Sequence, residues 1–298
     1  MSIRIATAPV SWGVLEVEGW ARQQTYAEVL DEMVQAGYVG TELGPYGFLP
    51  TDPATLSSEL EKRNLTLIGA FVPLPLKDPS KQQQAMQSAL EVAHLLAACG
   101  APFVVLADEL NPQRMNIAGS ATPKDGFNPQ EWRDATVLIS EIATAMKGLG
   151  LRSVFHHHAG TYVETPEEVA HLLSLTDPAL LGICLDTGHY LYGGGDPVQF
   201  AREHASRIWH LHFKDVHRNI LDEVRRHRIP YLDAIRQGVF CELGKGDVDL
   251  TGVIRELEKA NYDGWGVFEQ DIDTTLPNAD PLKSAIASRQ YLQEFSHV

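Results

Sequence analysis

The chain has 298 residues, of which 44% are apolar and 21% are charged. This composition is ordinary for a globular protein, and the length is close to that of one closed α/β barrel. The formal net charge of −15 argues against a nucleic-acid partner or an anionic membrane, because both require a basic surface. These classes of protein are therefore excluded as first hypotheses.

Cysteine use and the apolar runs indicate the compartment. The three cysteines, Cys99, Cys184 and Cys241, are widely spaced, so they form neither a disulfide framework nor a Cys-x-x-Cys site. Residues 1–4 lead directly into an apolar run without the pattern of a signal peptide. No apolar stretch approaches the ~20 residues of a membrane-spanning helix. We expect a cytoplasmic protein with no membrane partner.

Short β-branched segments alternate along the chain with longer segments of helical apolar spacing. The predicted strands are Ile3–Pro9, Tyr38–Leu43, Leu65–Phe71, Phe103–Asp108, Arg152–His158, Leu181–Thr187, Ile208–Asp215 and Trp265–Gln270. The predicted helices are Tyr26–Gln35, Pro53–Arg63, Lys81–Ala98, Pro129–Lys147, Pro166–Leu175, Pro197–Glu203, Leu250–Lys259 and Asp280–Phe295. Helix-start signals support several of them, such as the capping residue Thr165 before Pro166.

Eight strands that are each followed by a helix predict a parallel sheet. Without a polar edge strand or a long linker, we expect this sheet to close into a single (β/α)8 TIM barrel over residues 1–298. The alternative, a doubly wound open sheet, would carry a glycine-rich dinucleotide turn after an early strand, and none is present.

Two segments interrupt the alternation of strands and helices. Residues 111–127 form a polar loop after the fourth predicted strand, and residues 216–246, called the insertion below, follow the seventh. Loops at the carboxyl ends of barrel strands carry the chemistry of this fold, so we expect the insertion to act as a lid. The alternative is an excursion without function.

Histidines and carboxylates stand at the carboxyl ends of four consecutive predicted strands. They are His156 and His158, Asp186, His212, and Glu269, and the strand period of two places His156 and His158 on one face. These ends ring one mouth of a barrel, so the groups can converge there. A single histidine is more often a hydrogen-bonded core residue, but four such strands in succession favour a metal site. Mixed nitrogen and oxygen ligands suit Mn, Co, Fe or Zn.

Three further residues, on or near other predicted strands or strand ends, are candidates with open alternatives. Lys214, beside a cation, would have a lowered pKa and could move protons, or it could form an ordinary ion pair with Asp215. Glu42 could hold substrate hydroxyls or act as a base, or it could form an internal salt bridge across the barrel. Trp12 could form an apolar pocket wall or anchor a packed loop.

These motifs resemble the xylose-isomerase-like TIM barrels, a superfamily that includes sugar epimerases, inosose dehydratases and endonuclease IV type repair enzymes. Within it, the chain is most similar to the inosose (2-keto-myo-inositol) dehydratases. The similarity covers nearly the whole chain and lies in Ala8-Pro9-Val10-Ser11-Trp12, Gly40-Thr41-Glu42-Leu43-Gly44, His156-His157-His158-Ala159-Gly160-Thr161, Cys184-Leu185-Asp186-Thr187-Gly188-His189, His210-Leu211-His212-Phe213-Lys214-Asp215 and Phe268-Glu269.

The resemblance implies a role for several residues. The metal ligands would be His156, Asp186, His212 and Glu269, and the substrate would be a polyol or keto-sugar. His189 and Arg218 match positions that bind substrate oxygens in the epimerases. Trp12 and Asp215 are further candidates for substrate contact, and the chain could form a homo-oligomer.

The family's isomerases and epimerases usually carry a glutamate where His156 stands, and this difference helps to choose the reaction. Epimerisation uses two carboxylates on opposite faces of the substrate carbon, whereas elimination of water needs one base and one acid. We therefore expect a metal-dependent dehydratase that chelates a ketone and its neighbouring hydroxyl and passes through an enediolate. Lys214 or Glu269 would be the base, and His158 or Glu42 the acid.

Three other functions remain as alternatives. A metal-dependent ketose isomerase or epimerase, acting on a sugar or sugar phosphate, would equilibrate isomers without a conjugated product. A repair nuclease of the same superfamily is opposed by the net charge of −15. A non-catalytic sugar-binding barrel would bind polyols regardless of chelator.

Overall fold

The structure is a computed structural model that describes residues 3–15, 20 and 24–295. The predicted start at Met1-Ser2 lies outside the described residues. The main sheet contains nine strands: β1 (Ile3–Thr7), β2 (Gly40–Glu42), β3 (Thr66–Gly69), β4 (Phe71–Leu74), β5 (Phe103–Asp108), β6 (Arg152–His156), β7 (Leu181–Asp186), β8 (Ile208–Phe213) and β11 (Gly264–Phe268). A two-stranded sheet joins β9 (Asp215–Val216) to β10 (Phe240–Cys241).

The main sheet closes into a barrel through its third stave. Only Ala70 separates β3 from β4, and β3 pairs with β2 while β4 pairs with β5, all in parallel. These two short strands therefore form one bent stave, and the nine strands make the eight staves of a (β/α)8 barrel. The predicted fold class is confirmed, but the third strand extends to Leu74 rather than ending at Phe71.

The helices are α1 (Tyr26–Gln35), α2 (Pro53–Glu61), α3 (Gln82–Ala98), α4 (Pro112–Met115), α5 (Pro129–Gly148), α6 (Pro166–Leu175), α7 (Thr187–Tyr192), α8 (Pro197–His204), α9 (Arg218–His227), α10 (Tyr231–Arg236), α11 (Leu250–Lys259) and α12 (Pro281–Leu292). Each of the eight predicted helices corresponds to one of these, with ends that shift by up to three residues. At α6 the Thr165 side chain accepts from the amide of Glu168, as the capping signal predicted.

The two interrupting segments contain helices that the sequence analysis did not predict. Residues 111–127 hold α4, and the insertion holds α9 and α10 between the strands β9 and β10. A fourth unpredicted helix, α7, begins immediately after the last residue of β7, Asp186. All three segments follow the carboxyl ends of barrel strands, so they build the wall of one mouth of the barrel.

An apolar layer fills the barrel below that mouth. Small and branched side chains such as Val105, Val154 and Val267 form a separate buried cluster with Trp265. Val267 is in register with His212, so it points to the same side of the sheet as the histidines of β8. The polar side chains at the strand ends therefore lie next to a buried apolar layer.

Candidate metal centre and barrel-mouth cavity

Four chelating side chains meet at the mouth of the barrel, and we call them the candidate metal centre. They are His156 at the end of β6, Asp186 at the end of β7, His212 on β8, and Glu269 directly after β11. One ligand atom of each lies within 4.8 Å of those of the other three. Asp186 and His212 are in register across β7 and β8, which explains why they are neighbours.

The closest approaches within the candidate metal centre join nitrogen to carboxylate oxygen. His212 Nδ1 lies 3.2 Å from Glu269 Oε2 and 3.9 Å from Asp186 Oδ2, and His156 Nε2 lies 3.4 Å from the same Asp186 oxygen. Asp186 Oδ2 and His212 Nδ1, which face each other in this centre, are buried without a hydrogen-bond partner among the described residues. Buried polar atoms normally have partners, and a divalent cation would supply one. The residues therefore fit a metal ion.

Three carboxylates lie close to the ammonium group of Lys214. Its Nζ lies 2.8 Å from Asp271 Oδ1, 3.2 Å from Glu269 Oε2 and 3.4 Å from Asp186 Oδ2. Burial lowers the pKa of Lys214, but these three carboxylates outweigh it and the net pKa is raised. The predicted lowering of the pKa applies to Lys214 beside a bound cation, so it stays a prediction for the metal-loaded protein.

Glu42 does not have the environment of a proton donor. Its Oε1 lies 2.7 Å from Nε2 of His210 and 3.1 Å from Nε2 of His212. Burial raises the pKa of Glu42, but His212 and His210 outweigh it and hold the pKa well below its usual range. These contacts favour an ionised carboxylate, which has no proton to give, and the choice between His158 and Glu42 as the acid stays a prediction. The other alternative, an internal ion pair across the barrel, matches these contacts.

The rings of His158 and His189 contact each other beside the candidate metal centre, with centroids 3.8 Å apart and planes tilted by 36°. His158 Nδ1 lies 2.7 Å from the carbonyl oxygen of Ala159. A carbonyl only accepts, so Nδ1 carries the hydrogen and Nε2 is left to exchange a proton. The nitrogen His189 Nε2 contacts Lys214 Nζ at 3.0 Å, which makes His189 a neighbour of the predicted base.

The sequence analysis missed Asp271 and Tyr231. Asp271 joins Lys214 through Oδ1 and accepts from the Tyr231 hydroxyl through Oδ2 at 2.5 Å. The strand period of two could have found Asp271, because it stands two residues after Glu269 and points to the same side. Tyr231 lies on α10, inside the insertion, and no sequence signal connects that helix to the strand ends.

Three predicted substrate contacts lie away from the cavity. Trp12 is fully buried in the core, and its Nε1 donates to Glu32 at 2.7 Å. The Asp215 carboxylate is buried and accepts four backbone N–H groups, so it holds a loop. Arg218 is exposed at the start of α9 and lines a different cavity of about 420 Å³. These positions correct the predicted roles, because none of the three lines the barrel-mouth cavity.

The barrel-mouth cavity has a volume of about 320 Å³ and opens above the candidate metal centre. One side is polar and includes His156, His158, His212, Lys214 and Glu269. The other walls are apolar, and the insertion contributes to them through Leu232 and Ile235 on α10, next to Tyr231. This lining places the insertion where a lid would lie.

Comparison with known proteins gives the family. A family model described as the xylose isomerase-like TIM barrel matches residues 30–295. The chain belongs to this family. Inosose dehydratase of Geobacillus kaustophilus is 31% identical over 296 residues, which cover 99% of this chain and 95% of that protein. The predicted resemblance to the inosose dehydratases is therefore confirmed.

Solved structures show the same fold at lower sequence identity. The probable 3-DHS dehydratase AsbF of Bacillus anthracis is 16% identical with a TM-score of 0.73, covering 98% of this chain and 99% of that one. The IolI protein, solved with a bound zinc atom, is 12% identical with a TM-score of 0.71, covering 99% and 100%. No helix among the described residues combines the length and apolar character needed to cross a membrane.

Proposed function

We propose that the chain is a divalent-metal-dependent dehydratase that removes water from a cyclic keto-polyol of the inosose type. The observation that carries the proposal is the convergence of His156, Asp186, His212 and Glu269, with unpartnered buried atoms, on the floor of a cavity. The inosose dehydratase relatives supply the substrate class. A volume of about 320 Å³ lies at the small end for ligand pockets, as suits a single six-membered ring.

His156, Asp186, His212 and Glu269 would hold the metal ion. A divalent cation at this place supplies a Lewis acid that makes the proton next to a substrate carbonyl easier to remove. The remaining steps fall to side chains of the chain itself. Dehydration breaks one C–H bond and one C–O bond, forms a C=C bond between the two carbons, and releases water.

Glu269 takes the proton from carbon, and the neighbouring Lys214 ammonium stabilises the negative charge that develops on the substrate. Their charged atoms are 3.2 Å apart, both line the barrel-mouth cavity, and both lie beside the candidate metal centre. Asp271 and His189 hold the Lys214 ammonium from the other side, at 2.8 and 3.0 Å. The ammonium is therefore fixed in position before the substrate arrives, as electrostatic stabilisation of a transition state requires.

His158 gives the proton to the departing hydroxyl from its imidazolium form, because in the neutral ring the one hydrogen is on Nδ1. Burial and the charge of His156 lower the pKa of His158 to about 4, so Nε2 must take up a proton from solvent before this step. Its Nδ1 is committed to the carbonyl of Ala159, so Nε2 is the atom available to the substrate. His158 is partly buried and lines the barrel-mouth cavity, whereas Glu42 is engaged by two histidines. One base and one acid of different chemistry suit elimination better than the paired carboxylates of epimerisation.

The substrate carries no phosphate group. Lys214 is the only lysine or arginine in the described lining of the barrel-mouth cavity, and three carboxylates already surround it. Phosphate recognition needs a free cation or a cluster of arginines. A nucleic-acid partner is opposed by the net charge of −15, and the homo-oligomer and the cytoplasmic location stay predictions.

The test combines metal analysis with an assay on scyllo-inosose. We expect one divalent ion per chain, turnover that chelator abolishes, and a product with the absorbance of a conjugated carbonyl. Asp186→Ala should lose metal and turnover together, while the exposed control Asp222→Asn should keep both. Full activity in metal-free Asp186→Ala protein would refute the site. Equilibration of isomers without the absorbance change would instead identify an epimerase.

A further inference from the structure

A second polar cluster lies next to the candidate metal centre, deeper in the barrel. Its members are Glu42, His210 and Cys184, together with His212, which belongs to both groups. All four side chains are at most 2% exposed. His210 is absent from the lining of the barrel-mouth cavity, so this residue does not meet a substrate there.

One carboxylate oxygen joins the two histidines of β8. Glu42 Oε1 lies 2.7 Å from Nε2 of His210 and 3.1 Å from Nε2 of His212. An ionised carboxylate oxygen only accepts hydrogen bonds, so both imidazoles donate to it through Nε2. A neutral imidazole has one N–H, which leaves the lone pair of each ring on Nδ1.

The two Nδ1 atoms then differ in what they face. Both are buried without a hydrogen-bond partner in the described part of the chain. The ring of His210 packs against the ring of Phe103, with centroids 4.9 Å apart, and no ion pair joins its Nδ1 to a carboxylate of the described residues. His212 Nδ1 instead faces Glu269 Oε2 at 3.2 Å and Asp186 Oδ2 at 3.9 Å, inside the candidate metal centre.

We propose that Glu42 and His210 are positioning residues that fix the tautomer and the ring orientation of His212, so that Nδ1 is its metal-binding atom. The inference rests on the proposed metal-dependent function. Glu42 Oε1 accepts hydrogen bonds from both His210 and His212, and the two bonds together restrain the orientation of the carboxylate. Partners of this kind raise the basicity of a ligating imidazole, and their loss typically weakens metal binding 10- to 100-fold.

The same cluster does not offer a second metal site. Cys184, His210 and His212 have ligand atoms within 4.8 Å of one another. However, the Nε2 atoms of both histidines are already directed at Glu42 Oε1. A second ion would have to displace these hydrogen bonds. The stoichiometry of binding distinguishes the two arrangements.

The first experiment measures zinc affinity by competition with a chelator in full-length protein. Glu42→Gln removes the negative charge with little change of shape, and we expect a zinc Kd weaker by about 10- to 100-fold. Glu164→Gln is the matched control, because Glu164 is a buried carboxylate that accepts two backbone N–H groups and has no contact with the cluster. An unchanged Kd in Glu42→Gln would overturn the proposal.

The second experiment needs no variant of Glu42 and therefore does not depend on its folding. Long-range 1H–15N spectra of zinc-loaded wild-type protein, assigned with His212→Asn, should show His212 protonated on Nε2 and metal-bound on Nδ1. The reverse assignment would overturn the proposal. Two zinc ions per chain, with one lost in Cys184→Ser, would also overturn it. Wild-type protein that binds no zinc or other divalent ion would refute the proposed function itself, which is a different outcome from unchanged affinity in Glu42→Gln.

Discussion

At the scale of single residues, Asp186 performs two tasks with its two oxygens. Oδ1 accepts the backbone N–H of His189 at 2.7 Å and so caps α7, while Oδ2 faces His156 and His212 without a hydrogen bond. The cap fixes the carboxylate plane, because the helix begins on the residue that follows. Local structure therefore orients Oδ2, the oxygen that would bind the metal ion.

The two tasks of Asp186 can be separated by substitution. Asp186→Asn keeps an oxygen for the cap but replaces the second oxygen by an amide, so we expect metal binding to be lost while stability is retained. Asp186→Ala should lose the cap as well, at a further cost of about 1 kcal/mol in the free energy of unfolding. Urea unfolding of metal-free protein and metal analysis measure the two effects. Metal retained by Asp186→Asn would contradict the assignment.

Lys214 offers a substitution that separates catalysis from metal binding. Lys214→Met removes the ammonium group that lies 3.4 Å from Asp186 and 3.2 Å from Glu269. Because a positive charge beside the site opposes a cation, we expect metal affinity to be kept or to increase. The kcat should fall by about 10²- to 10³-fold, as for the loss of a group that stabilises developing negative charge. Lys245→Met, an exposed lysine of the insertion, is the control.

A fall in metal content that parallels the loss of activity in Lys214→Met would contradict this separation. It would show that the ammonium group supports the site structurally, by neutralising Asp186, Glu269 and Asp271. Steady-state kinetics and chelator competition on the same protein samples distinguish the two results.

The residues that sequence predicts well are those placed by strand periodicity. The period of two and the rule that barrel strands end at one mouth predicted that histidines and carboxylates of four strands converge, and the structure brings His156, Asp186, His212 and Glu269 together. The choice of these four as ligands came from the family resemblance and stays a prediction. Lys214 was found by the same rule, but its contacts with Glu269 and Asp271 depend on another strand end and were not predicted. Contacts made through loops and helix starts have no such period.

At the scale of elements, the insertion is fastened to the barrel at both of its ends. The buried Asp215 carboxylate accepts the N–H groups of Val216 and Val248 through Oδ1 and those of Gly244 and Gly246 through Oδ2, at 2.8–3.0 Å. At Gly246 a Cβ would come within 2.2 Å of Asp215 Oδ1, so the approach requires glycine. Asp215 therefore fixes the chain at the start and end of the lid segment.

Removing hydrogen bonds to the Asp215 carboxylate should impair substrate binding and leave the metal content unchanged. Asp215→Asn loses two of the four acceptor positions and Asp215→Ala loses all four. We expect a graded rise in KM and faster proteolysis within residues 216–246, at unchanged metal content. The exposed Asp222 on α9 provides the control substitution Asp222→Asn. A KM equal to that of the wild type in Asp215→Ala would show that the insertion does not depend on this carboxylate.

The helix α9 of the insertion escaped prediction although its sequence is strongly amphipathic. It begins without a side-chain cap at His217, so it lacks the start signal that marks several of the predicted helices. Its apolar residues Ile220, Leu221 and Val224 nevertheless follow a helical period, so periodicity alone could have predicted it. In contrast, α1 and α6 begin with capping boxes at Thr25 and Thr165, and their predicted bounds agree with the structure.

At the scale of the whole molecule, buried carboxyl groups tie the loops of the mouth to the barrel. Asp108, at the end of β5, accepts the N–H groups of Leu76 and Tyr162, and burial raises its pKa to about 7. Glu164 accepts those of Gly119 and Gly160. The sequence predicted the closed barrel from its alternating elements, but these ties are long-range and carry no local signal.

Glu164 should make the stability of the whole fold dependent on pH. Burial is the main reason that its pKa is raised from 4.5 to about 7, against the hydrogen bonds from Gly160 and Gly119 and the charge of Arg114. The other ionisable groups that act on it are Glu168 on α6, Tyr192 on α7 and Arg225 on α9.

The direction in which stability changes with pH follows from proton linkage. A carboxyl whose pKa is higher in the folded chain binds more protons there, so its contribution to stability is complete below about pH 4.5 and is lost as pH rises through about 7. A difference of this size corresponds to roughly 3 kcal/mol at most. Glu164→Gln does not titrate, so the free energy of unfolding of the wild type should fall relative to this variant between pH 5 and 8.

Urea unfolding of metal-free wild-type and Glu164→Gln protein at pH 5, 6, 7 and 8 measures this difference directly. The exposed neighbour Glu167 gives the control Glu167→Gln, whose difference from the wild type should not change with pH over this range. Because both comparisons share every other titrating group, including the ligands of the candidate metal centre, the contribution of Glu164 is isolated. A difference between wild type and Glu164→Gln that stays constant across these four pH values would show that Glu164 is already ionised in the folded protein, with Arg114 and the two backbone N–H groups outweighing its burial.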